Sequence, residues 1–195
     1  MSKSSRRMLW IGIPLLVILM IVGSFIGTYN SLAKSKQDVD KSWSQVENVM
    51  QRRYDLIPNL VNAVKGSMKQ EQKVFGDIAQ ARKSYGNATT ASDKMKADAK
   101  INSSVGTLIN AISENYPELK SNENVNNLMT QLEGTENRIS VERKRYNESV
   151  QSYNNSIVTF PRNMIAGMMG YHQMDYFKAD GEAQKAPTVN LDPSK

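Results

Sequence analysis

The run RRYDLIPNLVNAVKG, residues 52–66, lies in the middle of a long apolar seam. Taken in steps alternating between three and four, Leu32, Val39, Trp43, Val46, Met50, Ile57, Leu60 and Val64 form a row interrupted only by Lys36 and Arg53. With 3.6 residues to a turn, such a row marks one buried face of a helix. Pro58 sits inside it. A proline has no N–H, its ring crowds the carbonyl four residues back, here that of Tyr54, and it pushes Ile57 away from helical angles. A kink or short break is therefore expected over residues 54–58, with Asp55 and the Arg52/Arg53 pair available to the backbone groups it releases. The seam resumes in register, so both arms are expected on one core.

Working outward, three further words stand out: ENYPELK (114–120), TENRI (135–139) and ERKRYNESVQSYNNSIVTFP (142–161). Together with RRYDLIPNLV they resemble, in order and spacing, the LemA family of bacterial membrane-anchored helical proteins, over residues 29–177. The resemblance implies a single membrane-spanning helix followed by an antiparallel bundle, without an established catalytic activity. It also implies relatives in magnetosome membranes and a neighbourhood of membrane metalloprotease genes, hence a partner-binding role. The residues that carry it are Arg52, Arg53, Tyr54, Asp55, Pro58 and Asn59, then Glu136, Asn137 and Arg138, then Arg143, Tyr146, Asn147, Tyr153, Asn154 and Pro161.

The fold class expected is all-α: an N-terminal transmembrane helix, then an antiparallel bundle of long helices, the first kinked near Pro58. A chain of 195 residues accommodates one such domain beside an anchor. The expected boundaries are a basic flank (1–7), an anchor (8–28), the bundle (29–178) and a flexible tail (179–195), in which residues 187–191 could pair locally as a strand.

Residues 8–28, MLWIGIPLLVILMIVGSFIGT, carry no charge, against the roughly 20 residues needed to cross a bilayer core. Trp10 and Tyr29 suit the two interfaces, and Gly12 and Pro14 are tolerated in membrane helices. The competing reading is a signal peptide cut near Ser31–Ala33, but a secretory apolar core usually runs only about 7–15 residues. Lys3, Arg6 and Arg7 on one side face Lys34, Lys36 and Lys41 on the other. This small bias favours a cytoplasmic N-terminus and an extracytoplasmic bundle, with the reverse orientation left open.

The bundle is expected as a first arm over 30–57, a second over 59–85 stopped by Gly86-Asn87, and a third capped by Ser92 or Asp93 and closed by Pro117. After a turn region at PELKSNEN, a fourth helix runs over 124–160, broken at Pro161. At about 1.5 Å per residue it is long enough to lie along both earlier arms. Residues 164–177 are different, with Met164, Ile165, Met168, Met169, Tyr171, Met174, Tyr176 and Phe177 in a short stretch. They could fold back on the bundle, meet a partner or graze the membrane.

Half of the excess in the charge of +6 (pI near 9.4) comes from Lys3, Arg6 and Arg7 of the N-terminal flank. The remainder is a mixed surface rather than a nucleic-acid stripe, and Arg143-Lys144-Arg145 is flanked by Glu142 and Glu148. With no cysteine and one histidine, His172, neither a metal site nor nucleophilic catalysis is expected, and no Walker loop, dinucleotide fingerprint or G-x-S-x-G turn occurs. No catalytic residue, cofactor site or metal site is assigned.

Charges inside the seam are the specific feature. Lys36, Arg53 and Glu142 occupy positions that apolar side chains would ordinarily fill, and burying a charge requires a partner. Glu136, Arg138, Arg143 and Arg145 with Arg52, Arg53 and Asp55 are the natural cross-helix set, and Asn59, Asn62, Asn137, Asn147 and Asn154 are candidate interhelical bridges.

The function expected is a membrane-anchored, non-enzymatic scaffold or adaptor that contacts the bilayer through residues 8–28. It would form homo-oligomers or recruit membrane proteins such as a metalloprotease, and bind no nucleic acid. The alternatives are an accessory subunit of a membrane protease and, remotely, a hydrolase with an unrecognised site. Val49, Leu56 and Ala63 beside the main row, with Met164, Met168, Met169, Tyr171, Met174 and Phe177, are the candidate contact surface.

Overall fold

The computed structural model describes residues 3–178, with side chains from residue 12 onward. The side chains of the basic flank and of Trp10, and the tail with the local strand expected over 187–191, lie outside the described residues. The helices are α1 (Lys3–Val64), α2 (Gln72–Asn87), α3 (Ala91–Asn115), α4 (Pro117–Ser121), α5 (Glu123–Val158) and α6 (Arg162–Met168). Among the described residues there is no strand, and the chain is all-α. It resolves into two compact units, one of Met1–Gln45 with Lys144–Asp175 and one of Val46–Arg143 with Tyr176–Lys195.

The second unit is an up-down bundle. Glu47 of α1 pairs with Lys94 of α3, and Arg53 with Asp98, so α3 runs in the same direction as α1. Tyr85 near the end of α2 packs on Tyr54 of α1, with ring centroids 5.3 Å apart, so α2 returns antiparallel. Glu136 and Arg143 of α5 reach Arg53 and Asp98 respectively, which sets α5 antiparallel to both α1 and α3. The core is the set of rows that the 3.6 period dictates: Val46, Met50, Ile57, Leu60 and Val64; Ile78 and Ala81; Ile101, Val105, Leu108 and Ile112; Val125, Leu128, Leu132 and Ile139, all buried.

α1 runs through Pro58 without interruption. The short break, one alternative over 54–58, does not occur and the helix is interrupted instead at residues 65–71, so 59–85 is not one arm: its first turns belong to α1 and its remainder to α2. The energetics explain the shift. An interior proline costs about 3 kcal/mol, whereas Ile57 and Leu60 on either side are each 1% exposed, and burying each such side chain is worth about 1.5–3 kcal/mol. Breaking the helix would forfeit more than the missing hydrogen bond. The chain turns where Gly66 and Ser67 weaken the helix, held by bonds from Ser67 N–H and Met68 N–H to the Val64 carbonyl (3.0 and 3.1 Å) and by the buried Met68 side chain.

The other boundaries follow local chemistry. α2 ends at Asn87, after the Gly86-Asn87 stop. The cap of α3 is Thr90 rather than Ser92 or Asp93: its hydroxyl accepts from Asp93 N–H at 3.1 Å and donates to the Asp93 carboxylate at 2.8 Å. Pro117 closes α3 and opens the short α4, and Asn122 caps α5 by accepting from the N–H groups of Asn124 and Val125.

In the first unit, α5 descends antiparallel along α1. Ser42 and Ser149 share a 2.8 Å hydrogen bond, and the rings of Trp43 and Tyr146 meet edge to face at 5.6 Å. Leu32 and Val39 of α1 and Val150, Tyr153 and Ile157 of α5 are buried. α1 has the length and composition to cross a membrane near its N-terminus, and there its apolar side chains are uncovered. Beyond α6 the chain reverses at Gly170, whose φ of 69° lies in the left-handed region open to glycine, and returns along α5.

Candidate functional site

Arg53 occupies a core position of α1, four residues before Ile57 and three after Met50, because the heptad-like row passes through it. It is 1% exposed. Around it α3 contributes Asp98 and Asn102, one turn apart on the same face, and α5 contributes Glu136 and Arg143, two turns apart.

The terminal nitrogens of Arg53 are closely partnered, whereas the Nε groups of Arg53 and Arg143 are buried without a hydrogen bond. One Arg53 terminal nitrogen donates to the Glu136 carboxylate and to Asn102 Oδ1 (3.0 Å). The other donates to Asp98 Oδ1 and to the Asp98 carbonyl (3.3 Å). Arg143 takes the second Asp98 oxygen, Oδ2. Asp98, with its side chain 1% exposed, is thereby bridged by two guanidinium groups, one per carboxylate oxygen. Two cations and two anions sum to zero, the condition under which charges persist in a core. Phe177 lies over Arg143, its ring centroid 5.1 Å from the guanidinium carbon.

A second cluster adjoins in the same unit. The Arg82 guanidinium stacks 4.3 Å from the Tyr54 ring centroid, and Lys94 Nζ lies 5.9 Å from that of Tyr85 while pairing with Glu47. These are cation–π contacts. Tyr85 Oη is buried and makes no hydrogen bond. Burial, followed by the negative charge of Asp98, pushes its hydroxyl up to about 12.

Of the charges expected to pair around the proline, Arg53, Glu136 and Arg143 meet in this cluster, joined from α3 by Asp98 and Asn102. Arg52, Arg138 and Arg145 are exposed, and Asp55 accepts from Gln51 at 2.9 Å on the outer face of α1. Glu142, expected in the seam, is half-buried, and Arg143 beside it points into the cluster. Lys36 is a solvated i,i+4 pair with Asp40 at 2.8 Å, and that bond holds its ammonium above the usual range. Such exposed pairs contribute little.

The asparagines divide similarly. Asn154 is buried and bridges the chain to itself: its Nδ2 donates to the Met174 carbonyl (3.0 Å) and its Oδ1 accepts from Met174 N–H (2.9 Å). Tyr146 Oη donates to the Asp175 carbonyl at 3.3 Å, and burial pushes this hydroxyl up to about 12. Asn59, Asn62 and Asn137 are exposed on helix surfaces instead of bridging. The segment 164–177 therefore parts company with itself. Tyr171, Met174 and Phe177 are partly covered on the return path, the Tyr171 ring 6.2 Å from that of Tyr153, whereas Met164 and Met168 point outward.

Chemically, the charge cluster ties α1, α3 and α5 together, and each Asp98 oxygen already accepts from an arginine. Among the described residues no group of three or more His, Asp or Glu side chains is arranged to hold a metal ion.

Residues 42–191 match the LemA family. The chain belongs to the LemA family. Its similarity to other members extends over most of its length. It is 24% identical over 208 residues to the magnetosome protein MamQ of Magnetospirillum gryphiswaldense, covering 90% of this chain and 76% of that one. Similarity to magnetosome protein MamQ 2 of Paramagnetospirillum magneticum is 24% over 192 residues, 85% of this chain and 70% of the relative. Protein LemA of Metamycoplasma hominis is 23% identical over 186 residues, 93% of this chain and 83% of its own length. Membership accords with the apolar N-terminal helix and the helical unit that follows it.

Proposed function

We propose that this LemA-family chain is a membrane-anchored, non-enzymatic scaffold or adaptor that self-associates or recruits other proteins at the bilayer surface. The observation that supports this most is the mutual pairing of charges across three helices: Arg53 and Asp98, both buried, bond to each other, and Glu136 and Arg143, partly buried, each bond to one of them. Such a cluster fixes helix register, the best-attested use of buried ion pairs. Two of the relatives carry the name magnetosome protein, which names a structure and no reaction.

Binding energy would come from apolar side chains beside the seam. Val49 and Leu56 are half-buried and Ala63 is exposed on α1, a strip suited to a second helix face. The test is extraction of the tagged full chain from its own membrane in mild detergent, followed by native mass spectrometry. A particle holding several copies, or a fixed ratio of this chain to a non-catalytic membrane protein, supports the proposal. A stoichiometric complex with a protease would replace it by the accessory-subunit reading, and a lone monomer would contradict both.

A further inference from the structure

At the lower end of the first unit, four apolar side chains face outward: Val158 (52% exposed), Phe160 (80%), Met164 (63%) and Met168 (78%). Met164 and Met168 lie one turn apart on one face of α6, while Ala166 on the other is buried. Between residues 157 and 171 the one charge is Arg162. Exposing this much apolar side chain with so little charge calls for an occupant.

The antiparallel register of α1 and α5 identifies it. Tyr146 meets Trp43, Ser149 meets Ser42, and Tyr153 lies close enough to Lys36 to act on its charge. One further turn along each helix brings Ile157 to the level of Leu32, both buried. Leu32 is four residues beyond the uncharged run that ends at Thr28, a rise of about 6 Å. The headgroup layer extends roughly 5–8 Å beyond the hydrocarbon core on each side. The end of α5 and α6 therefore fall at the depth of the headgroups. Methionine and phenylalanine are suited to that boundary, and the exposed Lys34 and Arg162 would lie among lipid phosphates.

We infer that Val158, Phe160, Met164 and Met168 form a second membrane contact, inserted into the interface of the bilayer that α1 crosses. The patch shares a unit with the exposed apolar run of α1 and lies next to its end in the helix register, which favours lipid over a protein partner. The inference rests on residues 12–28 spanning the membrane, and the contact would hold the first unit at two points.

The test uses the full chain, which lacks cysteine, reconstituted in vesicles of phosphatidylethanolamine and phosphatidylglycerol. Phe160→Cys, Met164→Cys and Met168→Cys are each given a nitroxide, with Phe25→Cys as the core reference and Ser44→Cys as the aqueous one. All five positions are exposed, so the fold is retained. Collision with oxygen is compared with collision with a water-soluble nickel chelate. The expected result is at least a several-fold excess of oxygen over nickel collisions at 160, 164 and 168 relative to Ser44, short of that at Phe25. Water-like values at all three positions with a lipid-like Phe25 would overturn the second contact and leave the anchor standing. A water-like Phe25 would overturn the anchor and the inference with it.

Discussion

Arg53 and Asp98, forty-five positions apart in the sequence, form an ion pair in which both side chains are almost wholly buried, 2% and 1% exposed. Neither charge could stay there alone. Removing one member of a buried pair typically costs about 3–5 kcal/mol, because the survivor keeps its desolvation penalty.

Asp98→Ala is accordingly expected to lower stability by about 3–5 kcal/mol, read from chemical denaturation followed by helical circular dichroism in detergent. Arg53→Met should do likewise. The double variant should lose less than the sum by at least about 1 kcal/mol, since contacting residues couple. Additive losses would show that the pair is not linked in solution.

The seam of α1 was legible from its spacing, and so was Arg53 as an intruder in it. Glu136 and Arg143 were legible as charges in the motif words. Asp98 was not, because Lys96-Ala97-Asp98-Ala99-Lys100 reads as a solvated helix face. A signal was present: extending the row Ile112, Leu108, Val105, Ile101 back by three lands on Asp98, a seam charge opposite in sign to Arg53. The path through Pro58 was illegible for another reason. Local rules register the lost hydrogen bond, while the opposing burial of Ile57 and Leu60 is a property of the packed bundle. Asn154 differs from the exposed Asn137 only through the chain that returns past it, which no local pattern announces.

Asn154 ties residue 174 to α5 by both backbone groups. Asn154→Ala would leave that N–H and carbonyl without their partner, at a cost of about 1–3 kcal/mol. The loss should be local, seen as faster amide exchange over residues 171–178, while the α5 core keeps its protection. Asn137→Ala, at an exposed position, should fall within about 0.5 kcal/mol of the parent. Equal effects of the two variants would refute the bridging role.

The tyrosine hydroxyls set an alkaline limit. Tyr85 and Tyr146 are each raised from 10.0 to about 12, chiefly by burial. The neutral form is favoured in the fold, so this stabilisation is complete below pH 10 and is lost as pH rises from about 10 towards 12. Thermal midpoints should fall across that window. Because Tyr85 Oη makes no hydrogen bond, Tyr85→Phe should hold or gain up to about 1 kcal/mol at neutral pH and soften the alkaline decline. A clear loss at neutral pH would show that the hydroxyl has a partner.

Attachment through residues 8–28 decides whether the chain can act as a membrane scaffold at all. The direct measurement is the intact mass of the protein recovered from carbonate-washed membranes. The expected result is a membrane-retained chain of about 21.9 kDa that still carries residues 8–28. A carbonate-soluble species shortened by the segment through residue 33 would mean that the apolar run is a cleaved signal, and that no anchored scaffold exists.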